Sequence, residues 1–273
     1  MGERTAIEWT DATWNPWRGC TKVSPGCASC YMFRDQVRYG RDPAVVVRAA
    51  PATFNAPLRW QRVLDHSGER GLVFTCSWSD WFHEAADPWR AEAWSIIRRT
   101  PHLTYQILTK RPERIAEHLP ADWGLTGYPN VWLGVSVENQ HWADRRIPIL
   151  IGIPARLRFL SCEPLLKPLE LRHWFAFAAD CFCPDSYIEN GIAIESCPRH
   201  NAEPSAAISW VICGGESGGR PGHPPRPMAL DWVRSLRDQC VESNVPFFLK
   251  QLGGARPGGT ALLDGREWRQ MPA

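Results

Sequence analysis

Short apolar runs alternate with amphipathic stretches along most of this chain. Gly71-Leu-Val-Phe-Thr-Cys76 is an apolar run ended by polar residues, the pattern of a buried strand. After Asp87-Pro88, which reads as a helix cap with proline at the first position, Trp89, Ala93, Trp94 and Ile97 recur at helical spacing as far as Thr100-Pro101. The same alternation predicts strands over 103–108, 131–137, 157–160, 210–213 and 245–249. It predicts helices over 113–118, 143–150 and 229–243, the last with Leu230, Val233, Leu236 and Cys240 on one side.

These strands are apolar on both faces and have helices between them, which implies parallel strands covered by helices. With one more strand before Cys20, the count is six or seven βα units. The expected fold is α/β, a partial or complete βα (TIM-like) barrel forming a single domain over 1–273. Residues 173–207 break the alternation and read as an insertion within it.

Polar residues recur where the strands end: Ser77, Ser79 and Asp80; Thr109 and Lys110; Ser136, Glu138 and Asn139; Cys162 and Glu163; Glu216 and Ser217; Lys250 and Gln251. Singly, each is a helix cap or a turn residue. In a βα barrel these ends share one face, where active sites are built, and six such ends together predict an active-site mouth.

Cys20, Cys27 and Cys30 have the spacing C-x6-C-x2-C, with Gly19 and Gly26 before two of them and Pro25 tightening the bend. Three thiolates on one short loop can converge on a single metal centre. A structural zinc wants four protein ligands, whereas a cubane iron–sulfur cluster held by three thiolates keeps one iron open for another ligand. Cys181, Cys183, Cys197 and His200 form a second group inside the insertion. Its C-x-C and C-x2-H pairs supply the complement of a tetrahedral zinc site, stapling the segment. An auxiliary iron–sulfur cluster, a disulfide or unconnected thiols are the alternatives. Cys76, Cys213 and Cys240 read as small buried apolar residues, and Cys162 as buried or as a reactive thiol at the mouth.

Composition narrows the picture modestly. The 273 residues carry 44% hydrophobic and 22% charged residues and a formal net charge of +2, so overall charge argues for neither a nucleic-acid nor a membrane partner. Arg34, Arg38, Arg41 and Arg48 concentrate charge locally, either as a solvated face or as a phosphate groove. No apolar run approaches the ~20 residues of a membrane span, and the N-terminus lacks the order of a signal peptide. A cytoplasmic protein is expected, where ten cysteines point to metal ligation rather than to disulfides. Of the fifteen tryptophans, Trp14, Trp17, Trp78 and Trp81 fall beside the cysteine loop, where they are expected to shield it.

A three-cysteine loop after the first strand of a βα barrel resembles the radical S-adenosylmethionine superfamily. The match is to its C-x2-C half, Cys27-Ala-Ser-Cys30; the six-residue first gap departs from the usual three, and Tyr31 follows the third cysteine where an aromatic residue normally precedes it. More closely, the chain resembles a phage-associated family of unknown function with a three-cysteine motif. The matching pieces are Trp14-Asn15-Pro16, Gly19-Cys20, Gly26-Cys27-x-x-Cys30-Tyr31, Leu108-Thr109-Lys110-Arg111-Pro112, Gly134-Val-Ser-Val-Glu-Asn139, Ser161-Cys-Glu-Pro-Leu165, Gly214-Gly-Glu-Ser-Gly218 and Phe247-Phe-Leu-Lys-Gln251.

The resemblance implies that Cys20, Cys27 and Cys30 ligate a 4Fe–4S cluster whose open iron takes S-adenosylmethionine, and that an electron donor protein serves it. It implies Ser77, Ser79 and Asp80 near the methionine amino group, and Ser136, Glu138 and Asn139 near the ribose. Gly214 and Gly215 would then admit the adenine or the substrate. Lys110, Glu163, Glu216 and Lys250 are left as substrate-side catalytic candidates or as halves of structural ion pairs. A nucleic acid or nucleotide is the lead substrate class, from the arginines and a tryptophan-rich mouth on which bases can stack. The rival reading is a non-catalytic protein stapled by zinc that binds nucleic acid or protein.

Overall fold

The computed structural model describes residues 5–175, 187–189, 192–194, 207–219, 224–254 and 261–272. Seven strands form one sheet: β1 (Ala12–Trp14), β2 (Gly71–Thr75), β3 (Leu103–Thr109), β4 (Val131–Ser136), β5 (Leu157–Cys162), β6 (Trp210–Gly214) and β7 (Phe247–Gln251). Every pair is parallel, and the spatial order repeats the chain order from β1 to β7. Among the described residues five helices of eight or more residues accompany it: α1 (Tyr31–Arg38), α2 (Ala56–Ser67), α3 (Asp87–Arg98), α4 (Gln140–Ile151) and α5 (Leu230–Glu242).

The two faces of the sheet bury different things. The outer face and the helices share the larger core, where Val73, Tyr105, Ile107, Leu133, Val135 and Leu160 meet Trp94, Ile97, Ile147 and Leu236. The inner face carries a compact aromatic floor of Trp9, Phe74, Phe159, Trp210 and Phe248. Period-two alternation along each strand then decides what stands above that floor. Ser136 and Ser161, directly opposite one another on β4 and β5, follow Gly134 and Phe159 by two residues on the same face. Gly134 is small because the Phe159 ring lies across it; a Cβ there would sit 2.5 Å from the ring.

The barrel is partial. Its free β7 edge is taken by the C-terminal segment instead of by β1: the Leu249 N–H donates to Trp268 O at 2.7 Å and the Gln270 N–H to Phe247 O at 3.1 Å. Arg269 continues this segment to Glu8, ahead of β1, at 3.1 Å. The seam is thus filled by residues near both ends of the chain, and edge groups that closure would have satisfied are satisfied locally.

Two elements differ from expectation. Residues 113–118 make two 3₁₀ turns, Pro112–Arg114 and Ala116–His118, because six residues before Leu119-Pro120 leave too little room for a helix. Asp87 does not cap α3; it is the first helical residue, and its carboxylate accepts from Arg90 Nη1 at 2.6 Å and Arg114 Nη2 at 2.8 Å. The Phe175–Ile208 bridge brings together the two ends of the 176–206 segment. In that segment Tyr187–Glu189 pairs antiparallel with Ile192–Ile194. Cys181, Cys183, Cys197 and His200 lie outside the described residues. No described helix is long and apolar enough to cross a membrane.

Candidate active site

The cysteine loop leaves β1 and is held at several points against the strand ends. Asn15 Oδ1 accepts from the Trp78 N–H at 2.8 Å, tying β1 to the loop after β2. Gly19 N–H donates to Trp78 O at 3.0 Å, and Ser79 Oγ returns a bond to Gly19 O at 2.6 Å. Gly19 has φ +96°, and a Cβ there would lie 2.3 Å from the Val45 carbonyl oxygen, so only glycine serves. Cys30 precedes α1, whose first residue, Tyr31, donates its hydroxyl to Ser77 O at 2.6 Å. These bonds place the three free thiols at the C-terminal ends of the strands.

Beside them is a cavity of about 190 Å³ over the aromatic floor, lined by Cys20, Cys30, Ser77, Ser136, Ser161, Lys110 and Lys250 among others. Glu163 and Glu216 also reach it, so all four substrate-side candidates meet at one site. Lys110 Nζ donates to Ser136 Oγ at 2.9 Å, and Lys250 Nζ to Glu163 Oε1 at 2.7 Å, which Gln251 Nε2 also reaches at 3.1 Å. Glu216 is gripped by the Arg226 guanidinium and by the Arg226 N–H at 2.8 Å. Arg226 Nη2 further donates to Pro25 O in the cysteine loop at 2.9 Å. Burial alone would raise the Glu216 pKa, but the Arg226 hydrogen bonds and charge, with a bond from Ser29, hold it below the ordinary carboxylate value.

Several residues expected to face a ligand are engaged elsewhere. Asp80 is saturated: Oδ1 accepts from Phe82 N–H at 2.9 Å and Thr109 Oγ1 at 2.7 Å, and Oδ2 from Lys110 N–H at 2.9 Å. It shapes the wall rather than offering a free carboxylate. Glu138 is fully buried, accepting from Ser24 Oγ at 2.5 Å and Arg146 Nη1 at 3.2 Å, and so fastens the cysteine loop to α4. Asn139 caps α4, its Oδ1 accepting from Trp142 N–H at 3.2 Å. Gly215 lines the cavity, and a Cβ there would lie 2.4 Å from Leu252 O, so packing against Leu252 itself requires glycine; at Gly214 the Glu163 side chain occupies that space.

The tryptophans also depart from expectation. Trp14, Trp17 and Trp81 are packed against one another in the outer core, and Trp78 lies over Tyr39 with ring centres 6.2 Å apart. Among the described residues Trp9 is the tryptophan that lines the cavity, so the part of the mouth they form is not tryptophan-rich. Of the arginines, Arg48 pairs with Glu92 at 2.6 Å and lies over the Phe54 ring at 3.9 Å; Arg34 stays half exposed beside Asp35.

The donor set can be tested against the cofactors the resemblance implies. Burial pushes the Cys20 pKa up to about 12, with the Asp80 charge adding to the rise and Arg111 opposing it. Burial also raises Cys30. Such thiols carry charge only when a cation compensates it, which suits metal ligands. Among the described residues no three His, Cys, Asp or Glu side chains gather closely enough around one point to hold a single metal ion. A set of three soft donors beside a cavity fits a cluster spanning several ångströms better than one zinc ion.

Arg111, Arg146 and Arg226 are the functional neighbours that pattern reading passed over. Arg111 was visible only as the third residue of Thr109-Lys-Arg-Pro112, with nothing in the spacing to show which way it points. One family model matches residues 4–272, nearly the whole chain. The chain belongs to the DUF5131 family of proteins of unknown function. No curated protein matches the sequence of this DUF5131 member. Its fold is similar to that of spore photoproduct lyase, solved as a cysteine-to-serine variant (TM-score 0.53, 11% identity) and a tyrosine-to-phenylalanine variant (TM-score 0.51, 10% identity). Each comparison covers 91% of this chain and 78% of the lyase chain.

Proposed function

We propose that this protein is a radical S-adenosylmethionine-type iron–sulfur enzyme. The observation that carries the reading is the placement of Cys20, Cys27 and Cys30 at the strand ends of a parallel half-barrel, beside a cavity with polar walls and an aromatic floor. The shared fold with spore photoproduct lyase supports it.

Cys20, Cys27 and Cys30 would hold the 4Fe–4S cluster. When bound, that cluster would supply the electron, taken from a donor protein, that splits one C–S bond of S-adenosylmethionine to give methionine and a 5′-deoxyadenosyl radical. The chain's own residues bind and orient. Lys110, held by Ser136, offers its remaining ammonium hydrogens to an anionic group in the cavity. Ser77 and Ser136 are the strand-end hydroxyls left to meet S-adenosylmethionine, now that Asp80, Glu138 and Asn139 serve the wall. The Lys250–Glu163 pair, on the far strands, holds an ammonium and a carboxylate together where a substrate can exchange one for the other. The floor of Trp9, Phe74 and Phe159 keeps water from entering below.

A nucleic acid or nucleotide remains the proposed substrate class, supported by half-exposed Arg34 and by the Tyr31 and Phe33 rings lining the cavity. Binding that weakens steeply with salt is the expected signature.

Anaerobic purification tests the reading. A brown protein absorbing broadly near ~400 nm with about four irons per chain is expected, and each of Cys20→Ala, Cys27→Ala and Cys30→Ala should abolish iron uptake. Reduced protein given S-adenosylmethionine should release 5′-deoxyadenosine and methionine. A colourless protein carrying zinc alone would favour a metal-stapled binding protein instead.

A further inference from the structure

The three thiols sit in unlike surroundings. Cys20 Sγ receives Arg111 Nη1 at 3.7 Å, while Cys27 Sγ lies 3.8 Å from Ser24 Oγ and Cys30 stands at the N-terminus of α1. Arg111 is 4% exposed, and its position is over-determined. Nη2 donates to Thr21 O at 3.0 Å and to Thr21 Oγ1 at 2.6 Å. Nη1 also lies 3.4 Å from Asp80 Oδ2, Nε lies 3.6 Å from Glu84 Oε2, and the Arg111 N–H donates to Thr109 Oγ1 at 2.9 Å. Thr21 Oγ1 is bonded in turn to His83 Nε2 at 3.1 Å. A forked cation is therefore fixed between the cysteine loop, the loop after β2 and the end of β3, with one prong on a thiol.

We propose that Arg111 is a positioning residue for the cluster, donating through Nη1 to the Cys20 sulfur and so setting the potential at which the cluster is reduced. The inference rests on the three-cysteine cluster reading above. A cluster gains one negative charge on reduction. A hydrogen bond to a ligand sulfur and a nearby fixed cation both stabilise the reduced form and raise the potential. Removing the guanidinium also leaves the Asp80 carboxylate, 5% exposed, without its ion-pair partner, and the uncompensated negative field lowers the potential, as loss of the hydrogen bond does. A lysine at this position keeps the charge but cannot reach the Cys20 sulfur, Thr21 O and Thr21 Oγ1 together with a planar fork.

The experiment compares wild type, Arg111→Met and Arg111→Lys, each reconstituted anaerobically with iron and sulfide. Iron per chain is measured first, folding is checked by circular dichroism, and the midpoint potential of the loaded fraction is titrated by electron paramagnetic resonance. Arg111→Met should shift the midpoint to more negative potential, with Arg111→Lys between it and wild type. A purely structural arginine would change how much cluster loads but not the midpoint of what loads. Variants that load and titrate like wild type would overturn the proposal and leave the cluster reading intact. A wild type that takes up no cluster would overturn both, and the iron count alone reveals that case. If Arg111→Met does not fold, Arg111→Lys decides: an unshifted midpoint refutes the proposal.

Discussion

Glu138 shows how a strand-end carboxylate becomes part of the wall. It is fully buried against Arg146, whose Nε and Nη2 find no hydrogen-bond partner among the described residues, although the guanidinium lies over the Trp142 ring at 4.1 Å. Deleting the carboxylate strands this cation, and breaking such a buried pair costs about 3–5 kcal/mol. Glu138→Ala should therefore lower the urea midpoint strongly, and the double variant Glu138→Ala/Arg146→Met should recover much of the loss. A double variant as unstable as the single one would refute the pairing account. The position of Cys20 and Cys30 on the cavity was legible, because a loop leaving the first strand of a βα barrel opens onto the face where the strands end. Glu138 was not, because its partner sits eight residues on and only packing of α4 against β4 turns them together. The contact of Gly215 with the Leu252 carbonyl was hidden for a related reason, since that partner lies far along the chain.

At the level of elements, α3 carries the clearest charge cluster. Asp87 at its first turn collects Arg90, Arg114 and His118, the last at 3.3 Å. Burial works to raise the Asp87 pKa, but the bonds from Arg90 and Arg114 outweigh it and hold it below the ordinary 3.8. A lowered pKa contributes stability that is present above the unfolded value and lost as pH falls through the folded one. Asp87→Asn should cost about 1 kcal/mol at pH 7, since the group is partly exposed. The gap from wild type should close below about pH 4 in thermal melts; a constant gap down to pH 2 would exclude the linkage. Six of the seven strands were legible from apolar runs bounded by polar residues; β1, Ala12-Thr13-Trp14, is too short to make such a run and was placed only as a strand ahead of the cysteine loop. The 3₁₀ turns after β3 were not, because five or six residues of helix-like composition look the same whether or not there is room to finish a helix.

Across the whole molecule, the sheet has a firm centre and a dressed seam. β3, β4 and β5 are each paired on both sides, whereas β1 has three residues and one partner, β2. Amide exchange should be slowest in Leu103–Thr109, Val131–Ser136 and Leu157–Cys162 and faster in Ala12–Trp14. An order in which β1 outlasts β4 would contradict this hierarchy. Whether the barrel closed was beyond the strand pattern, because the answer lies in residues 266–270, which run along the β7 edge.

The agreement between strand order and chain order bears on how the protein is born. Each strand docks beside the one made just before it, so a nascent chain can lay down the sheet from β1 onward without waiting for a distant partner. The contacts that complete the mouth, Arg226 to Pro25 and Lys250 to Glu163, depend on segments synthesised late, and the seam at Trp268 and Gln270 later still. The three thiols are made before most of the sheet and the residues that enclose them after it, leaving an interval during synthesis in which soft metal ions can reach them before the walls are in place.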